Sequence, residues 1–521
     1  MDNKKEEKKE EKKEENENKS STYQHPKGSC KDGSVKIGKK VLKYSAYADW
    51  LILRRPGTDE PLAEMFHVYY QQKNSSAKNN NSNRPVSFMF NGGPGAASAY
   101  LHLGAAGPLR VEFETDGSCQ RPPAKLINNS ECWLDFTDLV FIDPIGTGFS
   151  RILDEKKAGL DPKNEKEKID KNEFYKTNRD LESLCEFIKK FLSKYNRWHS
   201  PIYIAGESYG GFRTAKLSKM LQDGHGVGLN GVILISPAIE FILLNPSDYD
   251  IQHWSDVLPT MSAAASFHGK SKYFKKGTSY QKILEVCQQF MVNEFIPFLT
   301  MGDLIKENQA KKTKIFKTLS DMIGLDKSEI ETMNGRVLFW VFGKKLLQDQ
   351  NKLIGLYDAT MVGTNPFPDR IWEWGPDPSL SGMERIFAAG INNHLRKNLG
   401  VISERDYHLL SYEVNSNWKV DSDRHAFDRQ VGSMDDLRYA MALNPYMQVM
   451  IVHGMYDLVT PYFASYRLAQ QMRLNSKQQE SIQTKFYGGG HMFYTWEQSR
   501  KEFFKDIKSF VNKALGLRIK D

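Results

Sequence analysis

Ser208 sits in Gly206-Glu207-Ser208-Tyr209-Gly210, a G-x-S-x-G pattern directly after the apolar run Ile202-Tyr203-Ile204-Ala205. A serine hydroxyl becomes a strong nucleophile only when a base takes its proton and a third group holds that base in place. The pattern suits this chemistry because a sharp strand-to-helix turn exposes the hydroxyl, and crowding in the turn leaves no room for a Cβ at the flanking positions. Two residues of the required types follow. Asp457 lies just past the apolar run 447–452, and His491 follows Gly488-Gly489-Gly490. Asn91-Gly92-Gly93-Pro94-Gly95, at the exit of the apolar run 86–90, adds exposed backbone N–H groups of the kind that receive a developing oxyanion. No single feature is specific, but the four agree on one site. Asp143 ends another apolar run and is the rival acid. It precedes the serine, so it ranks behind Asp457. His453 is read as packing.

These residues need a scaffold that brings strand ends together. Residues 138–143, 202–205, 231–237 and 447–452 are strand-like, and a helical pattern over 174–195 has apolar residues at Leu181, Leu184, Cys185, Ile188 and Leu192. Apolar strands alternating with helices predict a mainly parallel sheet covered by helices on both faces. The order Ser, Asp, His is that of the α/β-hydrolase fold. Strands near 41–53 and 65–72, with a turn at 56–59 between them, predict antiparallel pairing at the start of the sheet. Between 241 and 435 the alternation lapses into helical stretches, including 279–299 and 344–354, and Pro-rich loops; this region is expected to be a cap over the site. The chain thus divides into a charged tail over 1–33, a first core half over 34–240, the cap insertion over 241–435 and a second core half over 436–521. The closing helix is expected near 496–515. The tail repeats KKEE three times over 4–15, which sets like charges four residues apart and predicts disorder.

Composition narrows the partners. A net charge of +8 spread over 521 residues reads as solvated surface, and no nucleic-acid module accompanies it. No apolar run approaches the length needed to cross a bilayer, and no secretory h-region opens the chain, which gives a cytoplasmic expectation with an exported form lacking its leader as the alternative. The histidines and five cysteines show no metal spacing, and a Cys119–Cys132 disulfide is the first pairing to examine. No cofactor or metal is expected. Oligomeric state is left open.

The stretches Asn91 to Gly95, DPIGTGFS over 143–150, GESYG over 206–210, HGMYDLVTP over 453–461 and Gly490-His491-Met492 together resemble the serine carboxypeptidases, in wording closest to the bacterial branch. The resemblance implies removal of single residues from peptide C-termini. Ser208 would be the nucleophile, His491 the base and Asp457 the orienting acid, with Gly93 and Tyr209 N–H groups as the oxyanion hole. Asn91 and Glu207 would bind the terminal carboxylate of the peptide. Two carboxylates in contact repel unless one is protonated, so Glu207 is expected to have a raised pKa and the peptidase activity to favour acidic pH. Two positions depart from the family. Met89 stands where relatives have Trp, and Ala105 where they have a second Glu. Both belong to the family's carboxylate-binding network, so an esterase or acyltransferase using the same triad is the alternative.

Overall fold

The computed structural model describes residues 25–517, apart from 56, 58–59, 74–82, 156–167, 302–308, 371–372, 374 and 421–430. The strands of the main sheet are β1 (Ser29–Ile37), β2 (Lys40–Arg54), β3 (Pro61–Gln72), β4 (Val86–Phe90), β5 (Asp138–Ile142), β6 (Ile202–Glu207), β7 (Gly231–Ile235), β8 (Gln448–Gly454) and β9 (Ile482–Tyr487). Their spatial order is β1-β2-β3-β5-β4-β6-β7-β8-β9, and the short strand Arg151–Ile152 pairs with β3 as the tenth. The first three strands are antiparallel, β3 meets β5 antiparallel, and every later pairing is parallel. This is the α/β-hydrolase fold.

Alternation along each strand sorts side chains into two layers. In β8, Val449 and Ile451 enter one layer and Met450 and Val452 the other. All four are fully buried, a state that contributes roughly 1.5–3 kcal/mol for each such side chain. The first layer is roofed by α1 (Thr177–Lys194) and α2 (Tyr209–Asp223), the first as its 3.6-residue periodicity predicts.

The insertion after β7 is not uniform. Helices α3 (Leu258–Phe267), α4 (Tyr280–Phe290) and α5 (Gln309–Ile323) form a separate core with Leu458 and Tyr462. By contrast α6 (Ser381–Asn393) buries Met383, Ile386, Phe387 and Ile391 in the sheet's second layer. At the end of the insertion, α7 (Met434–Leu443) joins the first layer beside α2, and α8 (Glu497–Ala514) closes the second.

Several expectations need correction. The stretch 344–354 is not one helix: Asn351 adopts a left-handed φ of 52° and turns the chain, and Lys352–Ile354 then pairs with Val362–Thr364. The tail does not extend to residue 33, because β1 begins at Ser29 and pairs with β2 over its whole length; residues 1–24 lie outside the described residues. Cys119 and Cys132 are both free thiols. The Cys119 Sγ packs 3.6 Å from the Met383 Sδ, while buried Cys132 caps the turn Trp133–Asp135.

Candidate active site

β6 ends at Glu207 and α2 begins at Tyr209, so Ser208 alone makes the turn. Its φ of 62° and ψ of −124° cost a non-glycine residue roughly 1–3 kcal/mol. The surroundings hold it there. The Ser208 N–H donates to the Ile235 carbonyl at 2.9 Å, and its own carbonyl accepts from Gly211 and Ala238 at 2.8 and 3.0 Å. A Cβ on Gly206 would stand 2.1 Å from the Gly210 carbonyl oxygen, which explains the flanking glycines.

Asp457 follows β8 and is fully buried. Its Oδ2 accepts from His491 Nδ1 at 2.6 Å, and its Oδ1 accepts from the N–H groups of Val459 and Thr460 at 2.9 and 3.0 Å. The Thr460 hydroxyl lies 2.6 Å from the same Oδ2. The carboxylate is therefore fixed from both sides, and with it the imidazole. His491 is braced as well: its N–H donates to the Tyr357 carbonyl at 2.5 Å, and its carbonyl accepts from Ser236 Oγ at 2.8 Å. Burial opposes a charged imidazole here. The charge and hydrogen bond of Asp457, together with the charge of Glu207, outweigh it and hold the His491 pKa above its ordinary value. Nδ1 is thus engaged by Asp457, and His491 lines the same cavity as Ser208.

Glu207, one residue before Ser208, is 2% exposed, and burial pushes its pKa up to about 7. Asn91 Nδ2 donates to Oε2 at 2.5 Å. The Tyr494 hydroxyl lies 3.0 Å from Oε1 and 2.8 Å from Oε2. Asn91 is itself positioned by Leu101 N–H donating to its Oδ1 at 3.1 Å and by Arg213 donating to its carbonyl at 2.9 Å. Arg213 also pairs with buried Asp180 through Nε at 2.7 Å, which joins α1, α2 and the loop after β4. That loop lies directly on the elbow: a Cβ on Gly92 would stand 2.4 Å from the Tyr209 nitrogen. Gly93 and Tyr209, the expected oxyanion donors, thus belong to abutting segments. Tyr209 opens α2, where the first N–H groups have no intrahelical acceptor.

Asn91, Gly92, Gly93, Glu207, Ser208 and His491 line one cavity of about 80 Å³, closed by Ala96, Tyr100 and Met492 and by Tyr357, Leu380 and Leu410 from the insertion. Of the expected residues only Tyr209 and Asp457 are absent from the lining, the latter behind His491. The rival Asp143 is elsewhere: its Oδ1 accepts from Ser98 N–H at 2.9 Å and Tyr407 at 3.2 Å, and burial raises its pKa to about 7. His453 is buried, with a pKa pushed down to about 4 by that burial, so it is neutral packing as expected. Sequence reasoning missed Thr460, Tyr494 and Tyr357. Thr460 had a signal, since Asp-x-x-Thr lets an Asp accept from its own following turn. Among the described residues no cluster of His, Cys, Asp and Glu has the arrangement of a metal site, and no helix is long and apolar enough to cross a membrane.

Residues 42–502 match the family described as serine carboxypeptidase. A carboxypeptidase Y homolog from Arthroderma benhamiae is 29% identical over 38% of this chain and 35% of its own length. The pheromone-processing carboxypeptidase KEX1 of Saccharomyces cerevisiae is 32% identical over 32% of this chain and 21% of its own, and its Neurospora crassa counterpart 22% identical over 67% and 47%. These relatives are fungal, where the wording of the motifs pointed to the bacterial branch. The chain spans less than half the length of each of these curated relatives. The match over 42–502 takes in the elbow, the braced Asp457–His491 pair and the loop after β4, and the chain belongs to the serine carboxypeptidase family.

Proposed function

We propose that the protein is a serine-type carboxypeptidase that removes single residues from the C-termini of peptides. The observation that carries this reading is Glu207: a buried carboxyl, inclined to keep its proton, hydrogen-bonded to Asn91 in the same cavity as Ser208 and His491. A protonated carboxyl beside an amide donor receives a substrate carboxylate, and a simple esterase needs no such pair.

In this reading Ser208 Oγ attacks the last peptide carbonyl while His491 Nε2 takes its proton. The N–H groups of Gly93 and Tyr209 receive the negative charge that develops on the carbonyl oxygen. Collapse of the tetrahedral intermediate breaks the C–N bond, and His491 returns the proton to the leaving amine. Water then attacks the acyl-enzyme, gives a proton to His491, and the acid leaves as Ser208 regains its hydrogen. Asp457 holds the imidazole throughout. The substrate is a peptide, and the chemistry calls for no metal or cofactor.

Met89 and Ala105, both buried, favour a second reading as esterase or acyltransferase, because they replace a Trp and a Glu of the family's carboxylate network. Mass spectrometry of a peptide library incubated at pH 5 and pH 7 decides between the two. Stepwise loss of C-terminal residues, absent in Ser208→Ala, supports the carboxypeptidase; intact peptides beside rapid ester turnover sink it.

A further inference from the structure

Tyr100 lines the cavity beside Asn91, Glu207, Ser208 and His491. It is 6% exposed, yet its hydroxyl has no hydrogen-bond partner among the described residues. A buried hydroxyl without a partner is costly and uncommon, so one carried by a residue that lines a cavity invites a ligand atom. The ring is fixed in place by Phe387 of α6, with centroids 4.9 Å apart, which holds the hydroxyl at a set position. The neighbouring polar groups are largely committed. Asn91 Oδ1 accepts from Leu101, one Asn91 Nδ2 hydrogen goes to Glu207, and Tyr494 takes up the back of that carboxyl. Ala105, in the turn Leu101–Ala106 that follows Tyr100, offers no polar side-chain atom.

We propose that the Tyr100 hydroxyl donates a hydrogen bond to the α-carboxylate of the peptide's last residue, and so determines specificity for a free C-terminus. The assignment deepens the carboxypeptidase reading and rests on it. A phenol differs from a carboxylic acid in this role. It donates while neutral, and burial together with the charges of Glu384 and Glu207 keeps its pKa well above the ordinary value. Tyr100 therefore still donates when Glu207 has lost its proton, and part of the carboxylate recognition persists at alkaline pH.

Tyr100→Phe keeps the ring and removes the donor. The test compares it with the wild-type protein on a blocked dipeptide, on its C-terminal amide and on an ester of the same acyl group. A hydrogen bond to a charged group corresponds to a loss of about tenfold or more. KM for the dipeptide acid should rise by about that factor in Tyr100→Phe, and by more than KM for the amide or for the ester. The KM effect should grow above pH 7, where Glu207 no longer donates. If the wild type favours acid over amide and Tyr100→Phe does so equally, or if all three substrates decline together, the Tyr100 assignment is wrong and the carboxypeptidase reading stands. A wild type without preference for the acid overturns both.

Discussion

Replacing Glu207 by Gln removes a titrating group and keeps its shape, so it isolates what the proton does. With a pKa of about 7, the fraction of Glu207 able to donate falls from about ten-elevenths at pH 6 to about one-eleventh at pH 8. The ratio of peptide to ester kcat/KM, in which the titration of His491 cancels, should fall about tenfold over that interval in the wild type. A Gln amide donates at any pH, so Glu207→Gln should lose this alkaline decline. The acid limb belongs to His491, which must be neutral to accept the serine proton. Because the charge of Glu207 helps to raise the His491 pKa, the variant should move the acid limb of ester hydrolysis to lower pH. Stability carries the same signature. Between the ordinary value of 4.5 and about 7 the folded protein binds more protons at Glu207 than the unfolded chain, so stability falls as pH rises through that window. The full effect above pH 7 is roughly 3 kcal/mol, from about 2.5 pH units at 1.36 kcal/mol each. Glu207→Gln should flatten the corresponding slope in thermal melts. Stopped-assay pH profiles with a peptide and an ester, beside melting curves from pH 4.5 to 8, measure all three. A wild-type peptide-to-ester ratio that is flat from pH 6 to 8, or a decline that persists in Glu207→Gln, refutes the role given to this carboxyl.

The two candidate acids separate cleanly. Asp457→Asn leaves His491 in the wrong tautomer and should lower ester kcat by about 10⁴-fold, whereas Asp143→Asn keeps the acceptor for Ser98 and Tyr407 and should leave kcat within about threefold; steady-state ester kinetics on both variants decide. Gly92→Ala drives a methyl group against the Tyr209 nitrogen, and if the displaced Gly93 and Tyr209 N–H groups form the proposed oxyanion hole, kcat should fall by about 10²–10³-fold while fluorescence-monitored melting still reports a folded protein; unaltered kcat would remove this loop from the site.

Much of the site was legible because its members sit at strand ends, where apolar runs stop at glycine. Ser208, Asp457, His491 and Asn91 all carry that signature, and the parallel sheet brings the ends together. Tyr494 and Tyr100 carry none. Each is an aromatic residue in an apolar context, and only tertiary placement reveals that the first bonds a carboxyl and the second lines a cavity. The insertion was least legible for the same reason. Its α6 has an ordinary amphipathic pattern, and nothing in that pattern says whether the apolar face meets the sheet or a neighbouring helix. At 344–354 the local propensities for helix were overridden by a turn at Asn351 and a two-stranded pairing.

That small hairpin has a larger consequence. Its connecting residues include Tyr357, whose carbonyl receives the His491 N–H, and Asp358, whose carboxylate accepts from Gly490 N–H at 2.9 Å and from Trp496 Nε1 at 3.1 Å. The segments touch so closely that a Cβ on Gly490 would stand 2.0 Å from the Tyr357 oxygen. The insertion is thus a buttress for His491 as well as a wall of the cavity. Trimming it away to obtain a minimal hydrolase would unseat the histidine along with the pocket. Grafting a different insertion onto the same sheet would succeed only if the graft rebuilt this brace, so the scaffold is less modular than its sheet alone suggests.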